Sequence, residues 1–268
     1  MSAGSFLAKT FSVADRRVVI TGASSGFGEH FARVYASAGV HSLALFARRT
    51  DRLEELAKEL RANFPGIEVT AVRCDVSKVS DIARAFDEAE RASNGQVFNV
   101  IVNNAGVGPT RRALNETEDT YDSTLNVNLK GAFFVAQEAA KRMKAAKVRD
   151  GSIINISSIF SMRVGYGHSV YSVSKAGLRQ MTRALALEMV QDGIRVNAIS
   201  PGYFRTEMTQ EYYDSPKGSE YIKTHMPIQR LGELNELNGA LLLLSSQASQ
   251  FMYGADITID GGHSISSL

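Results

Sequence analysis

The sequence has few of the features that mark disulfide-rich, nucleic-acid-binding or membrane-spanning proteins. Its single cysteine, Cys74, cannot form an internal disulfide, which is typical of a reducing compartment. Lysine and arginine number 30 against 28 aspartate and glutamate residues, and no basic tract stands out. No stretch approaches the ~18 apolar residues of a membrane helix, and the start has no apolar run of signal-peptide length. We therefore expect a cytoplasmic protein with no nucleic-acid and no membrane partner.

Metal-binding patterns are also missing. The five histidines show none of the spacings with cysteine or acidic clusters that hold a metal ion, so we predict no metal site. What is present is ordinary for a globular protein, with 44% hydrophobic and 22% charged residues in a chain of 268. A chain of this length can bury a sizeable core.

Short apolar runs alternate with helical patterns along the whole chain. The runs predicted as strands are residues 17–21, 42–46, 68–73, 97–102, 151–157, 194–199 and 256–259. The longest helical patterns cover residues 121–143 and 169–190. No linker, low-complexity tract or internal repeat interrupts the alternation. It predicts one doubly wound α/β domain over residues 1–268, with a seven-stranded parallel sheet and helices on both faces.

A glycine-rich turn follows the first predicted strand. Residues 21–28 read TGASSGFG, and a helical pattern starts directly after them. This order brings backbone N–H groups and a helix N-terminus to a place where they can bind a phosphate. Gly22 allows a sharp turn, and Gly26 and Gly28 allow close approach of the backbone to a pyrophosphate. The spacing differs from the G-x-G-x-x-G of the standard dinucleotide fingerprint, so a bare turn remains an alternative.

The end of the second predicted strand carries arginines in place of a carboxylate. In dinucleotide-binding folds an acid about 20 residues past the glycine turn binds the ribose 2′-hydroxyl, and a nearby arginine accepts a 2′-phosphate instead. Here Ala47 and Arg48 occupy that place, with Arg49 next in the chain, so Arg48 is the expected ligand of a 2′-phosphate. The pattern favours NADP(H) over NAD(H), unless the arginines are solvated charges at the start of the next helix.

Polar residues also follow other predicted strands. Asp75 comes after the third, where it can bond an adenine edge or cap the next turn. Asn103 and Asn104 come after the fourth, where they can pin neighbouring strands beside a flat ring or form a plain turn. Ligands of doubly wound sheets lie beyond the carboxyl ends of the strands, so we expect these residues to border one cleft.

Tyr171 and Lys175 lie four residues apart in a predicted helix, so their side chains share one face. A phenol titrates near ~10 in water, and a neighbouring ammonium lowers this pKa because it favours the phenolate. Ser158 follows the fifth strand, and the loop with Gly165 and Gly167 is long enough to bring its hydroxyl to the same place. The three predict a site that holds a carbonyl oxygen and exchanges a proton with it. A chance pair on an exposed helix is the alternative.

Five motifs occur in a fixed order: TGASSGFG, NNAG, LNVNLKG, SSIFS with YSVSK, and SPGYFRTEM. With these motifs the chain resembles the short-chain dehydrogenase/reductase family over nearly its whole length. The resemblance implies a Rossmann-like fold, a nicotinamide cofactor, and interconversion of an alcohol with a ketone or aldehyde. It also implies a homotetramer, in which the helix of Tyr171 and the long helix before it pack between subunits.

The resemblance further implies a role for each matching residue. Tyr171 would be the acid/base, Lys175 would lower its pKa and bind the nicotinamide ribose, and Ser158 would hold the substrate oxygen. Asn128 would steady a water that passes protons to the lysine, and Asp75 would meet the adenine. The implied cofactor-binding residues, besides Tyr171 and Lys175, are Gly22, Ser24, Ser25, Gly26, Phe27, Gly28, Arg48, Arg49, Asp75, Val76, Asn104, Ala105, Gly106, Pro201, Gly202 and Thr206.

The motifs leave the substrate open beyond a small carbonyl compound or alcohol. Residues 207–226 lie where the family places a mobile lid, although a helical hairpin on a neighbouring subunit is nearly as well supported. The residues of this segment that would line a pocket are Met208, Tyr212, Tyr213, Tyr221 and Met226. His168, three residues before Tyr171, either faces the substrate or is solvated.

We therefore expect an NADP(H)-dependent enzyme that interconverts a ketone or aldehyde and an alcohol. The alternatives are a polyol or sugar dehydrogenase and a 3-oxoacyl-thioester reductase, either of which can use NAD(H). An acyl-carrier substrate would need a basic docking patch, for which residues 111–112 and 141–142, two pairs of basic residues, are weak candidates.

Overall fold

A computed structural model describes residues 3–206, 210 and 213–266. Within these residues, seven strands form one parallel sheet in the order β3-β2-β1-β4-β5-β6-β7. The strands are β1 (Arg17–Thr21), β2 (Ser42–Ala47), β3 (Glu68–Arg73), β4 (Val100–Asn103), β5 (Gly151–Ile156), β6 (Ile194–Pro201) and β7 (Asp256–Ile259). The sheet order changes direction between β1 and β4, which opens a crevice at the carboxyl ends of these strands. The predicted doubly wound, Rossmann-like fold is confirmed.

The helices follow the strands in alternation. They are α1 (Ala3–Thr10), α2 (Gly26–Ser37), α3 (Thr50–Asn63), α4 (Val79–Ala92), α5 (Glu118–Leu125), α6 (Ala132–Ala145), α7 (Ser169–Met189), α8 (Pro216–His225) and α9 (Asn238–Ser245). One apolar cluster joins α2, α3 and α9 to one face of the sheet, and a second joins α4, α6 and α7 to the other face. Every residue of β2, β4, β5 and β6 is buried, because helices cover both faces of a parallel sheet.

Two predicted elements differ from the structure by more than two residues. The strand predicted from residue 97 begins only at Val100, and the side chain of Asn99 instead accepts a hydrogen bond from the backbone of Arg17 (2.9 Å). The helix predicted over residues 121–143 is divided into α5, a π-helix (Asn126–Gly131) and α6. π-Helical turns often occur at functional sites, because their extra residue redirects side chains.

No helix in the described part of the chain has both the length and the apolar character needed to cross a membrane.

Candidate active site

The glycine-rich turn lies between β1 and α2 and is shaped by close backbone contacts. Gly22 and Gly26 adopt positive φ angles of 67° and 57°, which favour glycine. A Cβ atom at Gly22 would lie 2.9 Å from Ala105 Cα, and one at Gly28 would lie 2.4 Å from the oxygen of Gly22. At Gly26 the same position meets nothing within 4 Å. The turn therefore packs tightly at Gly22 and Gly28, and it is open at Gly26, where α2 begins.

Thr21 and Asn104 fasten this turn to the end of β4. The Asn104 amide nitrogen Nδ2 donates to the backbone oxygens of Thr21 (2.9 Å) and Gly22 (3.3 Å). Thr21 Oγ1 accepts hydrogen bonds from the backbone N–H groups of Asn104 and Ala105, both at 3.0 Å. Asn104 thus pins neighbouring strands, one of the two predicted roles. The sequence analysis missed Thr21, although a hydroxyl residue at the last position of an apolar strand is a usable signal.

The guanidinium of Arg49, rather than that of Arg48, reaches the glycine-rich turn. Its Nη2 atom donates to Ser25 Oγ (2.6 Å) and Ser24 Oγ (3.0 Å), and Nε donates to Ser24 Oγ (3.1 Å). Arg48 is exposed, and no described residue pairs with its side chain. The arrangement gathers one cation and two hydroxyl groups at the carboxyl end of β2.

Asp75 and Val76 follow β3. Asp75 Oδ1 accepts hydrogen bonds from Ser77 through its backbone N–H (3.1 Å) and its hydroxyl (2.7 Å). These bonds match the turn-capping role that the sequence left open beside adenine binding. Val76 is buried, and a Cβ at Gly131 would lie 2.7 Å from the Val76 oxygen, so this turn packs on the π-helix.

Asn128 lies in the π-helix and is almost completely buried, with 1% of its surface exposed. Its side chain exchanges two hydrogen bonds with the backbone of Val107, both at 2.8 Å. Its Nδ2 atom also donates to Ser174 Oγ (3.0 Å), which in turn donates to the backbone oxygen of Tyr171 (2.7 Å). Asn128 therefore ties the loop after β4 to the start of α7. Ser174 was missed by the sequence analysis, although it lies inside the YSVSK motif.

Ser158 and Tyr171 are brought together where β5 ends and α7 begins. Ser158 is 8% exposed, and its hydroxyl accepts a hydrogen bond from the backbone of Phe160 (3.2 Å). The Ser158 hydroxyl lies close enough to the phenol of Tyr171 to lower its pKa. A Cβ at Gly108 would lie 3.3 Å from the ring of Tyr171, so the loop after β4 packs closely against the phenol.

Lys175 lies one helical turn beyond Tyr171 and its side chain is buried. Its Nζ atom donates to the backbone oxygen of Ile156 (2.8 Å) and lies 5.6 Å from the centre of the Tyr171 ring. A Cβ at Gly106 would lie 3.6 Å from Lys175 Nζ and 3.4 Å from Asn128 Oδ1. The predicted cluster of Asn128, Ser158, Tyr171 and Lys175 is thus assembled around the loop that follows β4.

The expected effect of Lys175 on Tyr171 is not observed in the protein alone. Burial raises the pKa of Tyr171 above its usual value of 10.0, and the hydrogen bond from Ser158 opposes this only in part. Burial also lowers the pKa of Lys175 to about 8. The predicted lowering of the Tyr171 pKa is not found here, because burial is the largest influence on the pKa of this phenol and raises it.

The remaining predicted cofactor residues have structural partners. Pro201 ends β6, and a Cβ at Gly202 would lie 2.7 Å from Asp260 Cβ, so the end of β7 requires this glycine. Phe27 packs edge-on against Phe204 (5.7 Å between ring centres), which ties α2 to the segment after β6. Thr206 follows on that segment and is partly exposed.

The segment predicted as a lid is described in part. Met208 and Tyr212 lie outside the described residues. Tyr213 and Met226 are buried and pack with Leu231 in a small apolar cluster that Tyr203 and Tyr221 border. This cluster joins α8 to the end of β6.

The two basic pairs that were candidates for docking an acyl carrier differ in how far their side chains are already bound within the protein. The Arg142 guanidinium is bound to Asp87 (2.7 Å), Glu90 (2.6 Å) and Glu138 (2.7 Å), so it is part of the fold. Arg112 lies 5.4 Å from the ring centre of the exposed Tyr166. Among the described residues, no group of three or more His, Cys, Asp or Glu side chains is placed to hold a metal ion.

Comparison with known proteins identifies the family. The sequence profile of the family described as Enoyl-(Acyl carrier protein) reductase matches residues 22–264. The chain is 35% identical over 257 residues to "Oxidoreductase UcpA" of Salmonella typhimurium, covering 93% of this chain and 95% of the relative. It is 33% identical over 253 residues to "2-dehydro-3-deoxy-D-gluconate 5-dehydrogenase" of Escherichia coli, covering 94% of this chain and 96% of the relative.

Solved structures agree with this assignment. A gluconate 5-dehydrogenase from Burkholderia cenocepacia, crystallised in complex with NADP and tartrate, superposes with a TM-score of 0.90 at 30% identity. The match covers 97% of this chain and 99% of that one. The chain therefore belongs to the short-chain dehydrogenase/reductase family and is an oxidoreductase that acts on alcohol and carbonyl groups.

Proposed function

We propose that the protein interconverts a ketone or aldehyde and an alcohol, with NADP(H) as the hydride carrier and Tyr171 as the acid/base. The observation that carries the proposal is the placement of the Ser158 hydroxyl next to the phenol of Tyr171, where β5 ends and beside Lys175. The glycine-rich turn opens at the same edge of the sheet, at the end of β1. A cofactor bound along this edge would lie across both features.

Each side chain has a defined part in the proposed reaction. Burial keeps the proton on Tyr171 at neutral pH, so the phenol can donate it to a carbonyl oxygen. The Ser158 hydroxyl donates a second hydrogen bond to the same oxygen, where negative charge develops. Lys175 is held by Ile156 beside the phenol, where its positive charge stabilises the phenolate that forms when the proton leaves. Asn128 holds the loop at Val107 and the start of α7 in fixed positions beside Tyr171 and Lys175 through its hydrogen bonds.

The residues present fit a phosphorylated nicotinamide dinucleotide. The open space above Gly26 at the start of α2 suits a pyrophosphate. Arg49, Ser24 and Ser25 together offer a cation and hydroxyl donors to a 2′-phosphate. The bound cofactor supplies the hydride, and the protein supplies binding, orientation and the proton.

The experiment that tests the mechanism replaces Tyr171 by phenylalanine. We expect Tyr171→Phe to lose at least about 100-fold in kcat, the contribution typical of a positioned acid. NADPH binding, followed by calorimetry or by the fluorescence of the bound cofactor, should change little. Turnover near that of the wild-type enzyme would refute the acid/base assignment.

The cofactor preference is tested at the two arginines. The sequence favoured Arg48 as the phosphate ligand, and the contacts of Arg49 with both serines now favour Arg49. We expect Arg49→Ala to weaken NADPH binding at least about tenfold more than NADH binding, as for one lost charge-assisted hydrogen bond. Arg48→Ala is the matched control, and equal losses for both cofactors in Arg49→Ala would contradict NADP(H) preference. The NADP bound by the Burkholderia relative supports the same preference.

A sugar-type substrate is the second candidate. Two similar proteins carry names of sugar-acid dehydrogenases, the Escherichia coli and Burkholderia cenocepacia proteins. A 3-oxoacyl-thioester substrate has less support, because Arg142 is engaged by three carboxylates and is not free to dock an acidic carrier. A panel of ketones, aldehydes, ketoses and acyl thioesters, followed by NADPH absorbance, separates these classes.

We also propose a homo-oligomer and a lid. The side chains of Val173 and Leu187 on α7 are 56% and 78% exposed, and a second copy of the chain would cover them. Light scattering after size exclusion should give a tetramer mass, and Leu187→Glu should lower it. The proposed lid covers residues 207–226. Its support is that the rings of Tyr213 and Tyr221 contact the ring of Tyr203, the residue after Gly202.

A further inference from the structure

A histidine lies beside the proposed acid/base and has no part in the mechanism described above. The ring of Phe160 stacks on the imidazole of His168, with 5.1 Å between ring centres and 25° between planes. The same phenylalanine meets the ring of Tyr171 edge-on at 5.9 Å. His168 and Tyr171 are themselves neighbours, with 6.3 Å between ring centres. The three rings form a wall next to Ser158.

The loop before α7 holds His168 in place. The His168 backbone N–H donates to the oxygen of Gly165 (3.1 Å), and its own oxygen accepts from the N–H of Ser172 (2.8 Å). A side chain at Gly165 has no room, because a Cβ there would lie 2.6 Å from Phe160 Cζ and 3.2 Å from His168 Cδ2. The imidazole is therefore clamped between Phe160 and the loop, and its orientation is restricted.

The polar atoms of the imidazole are not used by the described protein. Nδ1 is buried and makes no hydrogen bond among the described residues. Burial lowers the pKa of His168, so the ring is neutral at pH 7 and carries one N–H. An unpaired buried N–H costs more than an unpaired buried lone pair, so we assign the proton to Nε2. The partly exposed ring then presents a neutral donor.

The charged groups that face His168 are engaged elsewhere. Arg111 lies on the facing loop and bonds Gly167 through its backbone N–H (2.8 Å). Its guanidinium is directed to the oxygen of Asn115 (3.3 Å) and to Glu116 (4.0 Å). The His168 donor is neutral, and Arg111 is not free to add a positive charge beside it. We therefore expect the imidazole to bind an uncharged oxygen, such as that of a hydroxyl group, in preference to a carboxylate.

A second unpaired polar atom lies on the turn that follows Ser158. Ser161 Oγ is buried without a partner among the described residues, on the turn that begins after Ser158. Buried polar groups are nearly always paired, so a ligand oxygen or a water is the expected partner of the Ser161 hydroxyl.

We propose that His168 is a specificity-determining residue that donates a hydrogen bond to a hydroxyl group on the carbon next to the reacting carbonyl. The enzyme would then select α-hydroxy ketones, the chemical class that includes ketoses, over plain ketones. The inference rests on the proposed function, because contact with Tyr171 and Ser158 places the carbonyl.

The test compares matched ketones that differ by one hydroxyl group. The pairs are acetoin with 2-butanone and 2-hydroxyacetophenone with acetophenone, each assayed by NADPH oxidation. We expect the wild-type enzyme to prefer the hydroxy ketone of each pair at least about tenfold in kcat/KM, as for a hydrogen bond to a buried donor. His168→Phe keeps a ring against Phe160 but removes the donor, and it should abolish this preference without lowering kcat/KM for the plain ketone. His168→Gln should restore part of the preference.

Controls separate the possible results. His41→Phe replaces an exposed histidine and should leave the preference unchanged. If His168→Phe does not fold, His168→Leu also lacks the donor and serves in its place. An equal loss for both ketones of a pair would make His168 a packing residue, and an unchanged preference would show that it makes no bond; either overturns the inference. A wild-type enzyme that reduces none of the four ketones contradicts the proposed function instead.

Discussion

Replacement of Lys175 by methionine should stabilise the fold at neutral pH while removing activity. The ammonium is buried, and burial lowers its pKa from 10.5 to about 8. At roughly 1.36 kcal/mol per pKa unit, the drop corresponds to about 3 kcal/mol of folding free energy that is lost while the lysine is charged. Charge burial of this size is common at functional sites, where activity is maintained at the expense of stability.

The lost hydrogen bond reduces the expected gain. Lys175 Nζ donates to the oxygen of Ile156 (2.8 Å), and loss of this bond costs about 1 kcal/mol. Methionine is flexible and has a similar length, so it fills most of the space that the lysine side chain leaves. We therefore expect Lys175→Met to be more stable than the wild-type protein by about 2 kcal/mol at pH 7.

The pH dependence gives a sharper test than the value at one pH. The folded-state pKa of Lys175 lies below its unfolded-state value, so the unfolded chain binds more protons between pH 8 and 10.5. The stability of the wild-type protein should therefore rise with pH across this window, relative to Lys175→Met. Below pH 8 the difference between the two proteins should be constant.

Urea unfolding without cofactor, at one protein concentration, measures this difference from pH 7 to pH 10. Lys58→Met is the matched control, because Lys58 is exposed on α3 and its replacement should give no pH-dependent difference. If Lys175→Met were no more stable than the wild-type protein at pH 7, and the difference did not change with pH, the reasoning from burial would be refuted.

Three further predictions concern other parts of the site and the core. Asn128→Ala should lower kcat by at least about tenfold and stability by about 2 kcal/mol, because three hydrogen bonds are lost; unchanged kinetics would exclude a positioning role. Gly28→Ala should unfold at lower urea concentration and lose NADPH binding, because its Cβ would lie 2.4 Å from a backbone oxygen. Gly239→Ala on α9 is the control, because its Cβ meets nothing within 4 Å and the variant should be as stable as the wild-type protein or more stable. Equal effects of the two substitutions would contradict the packing argument. Cys74 is 2% exposed and burial raises the pKa of its thiol to about 12, so Ellman's reagent should react with it at pH 8 only after unfolding.

The sequence predicts the sheet well because its strands are buried on both faces. A run such as residues 151–156 must be continuously apolar or small to lie between two helical layers, and this pattern is visible without coordinates. The edge strand β7 is only partly buried, so its sequence pattern is weaker than that of the central strands. The order of the strands in the sheet, in contrast, depends on packing between segments that are distant in the chain. The local pattern does not contain this order, and we took it from the expected doubly wound topology.

The residues of the site were predicted better than their contacts. Sequence spacing shows which residues lie near one another, but it does not show which side-chain atoms form hydrogen bonds. Arg48 and Arg49 are adjacent at the end of β2, and their side chains leave the backbone in different directions. Only Arg49 reaches Ser24 and Ser25. The π-helix around Asn128 was also beyond the pattern, since one additional residue per turn leaves the apolar spacing almost unchanged over six residues.

The pKa of Tyr171 shows why even a correctly assembled site can be misjudged from its residues. Proximity of an ammonium argues for a lower pKa, and burial argues for a higher one. The sequence gives the four-residue spacing that sets proximity, whereas the loss of water depends on Phe160, Gly108 and other residues far apart in the chain. In the folded protein burial also lowers the pKa of Lys175 to about 8, so the same loss of water acts on both side chains. Desolvation therefore decides the sign of the shift, and it keeps the proton on the phenol, ready for donation to a carbonyl oxygen.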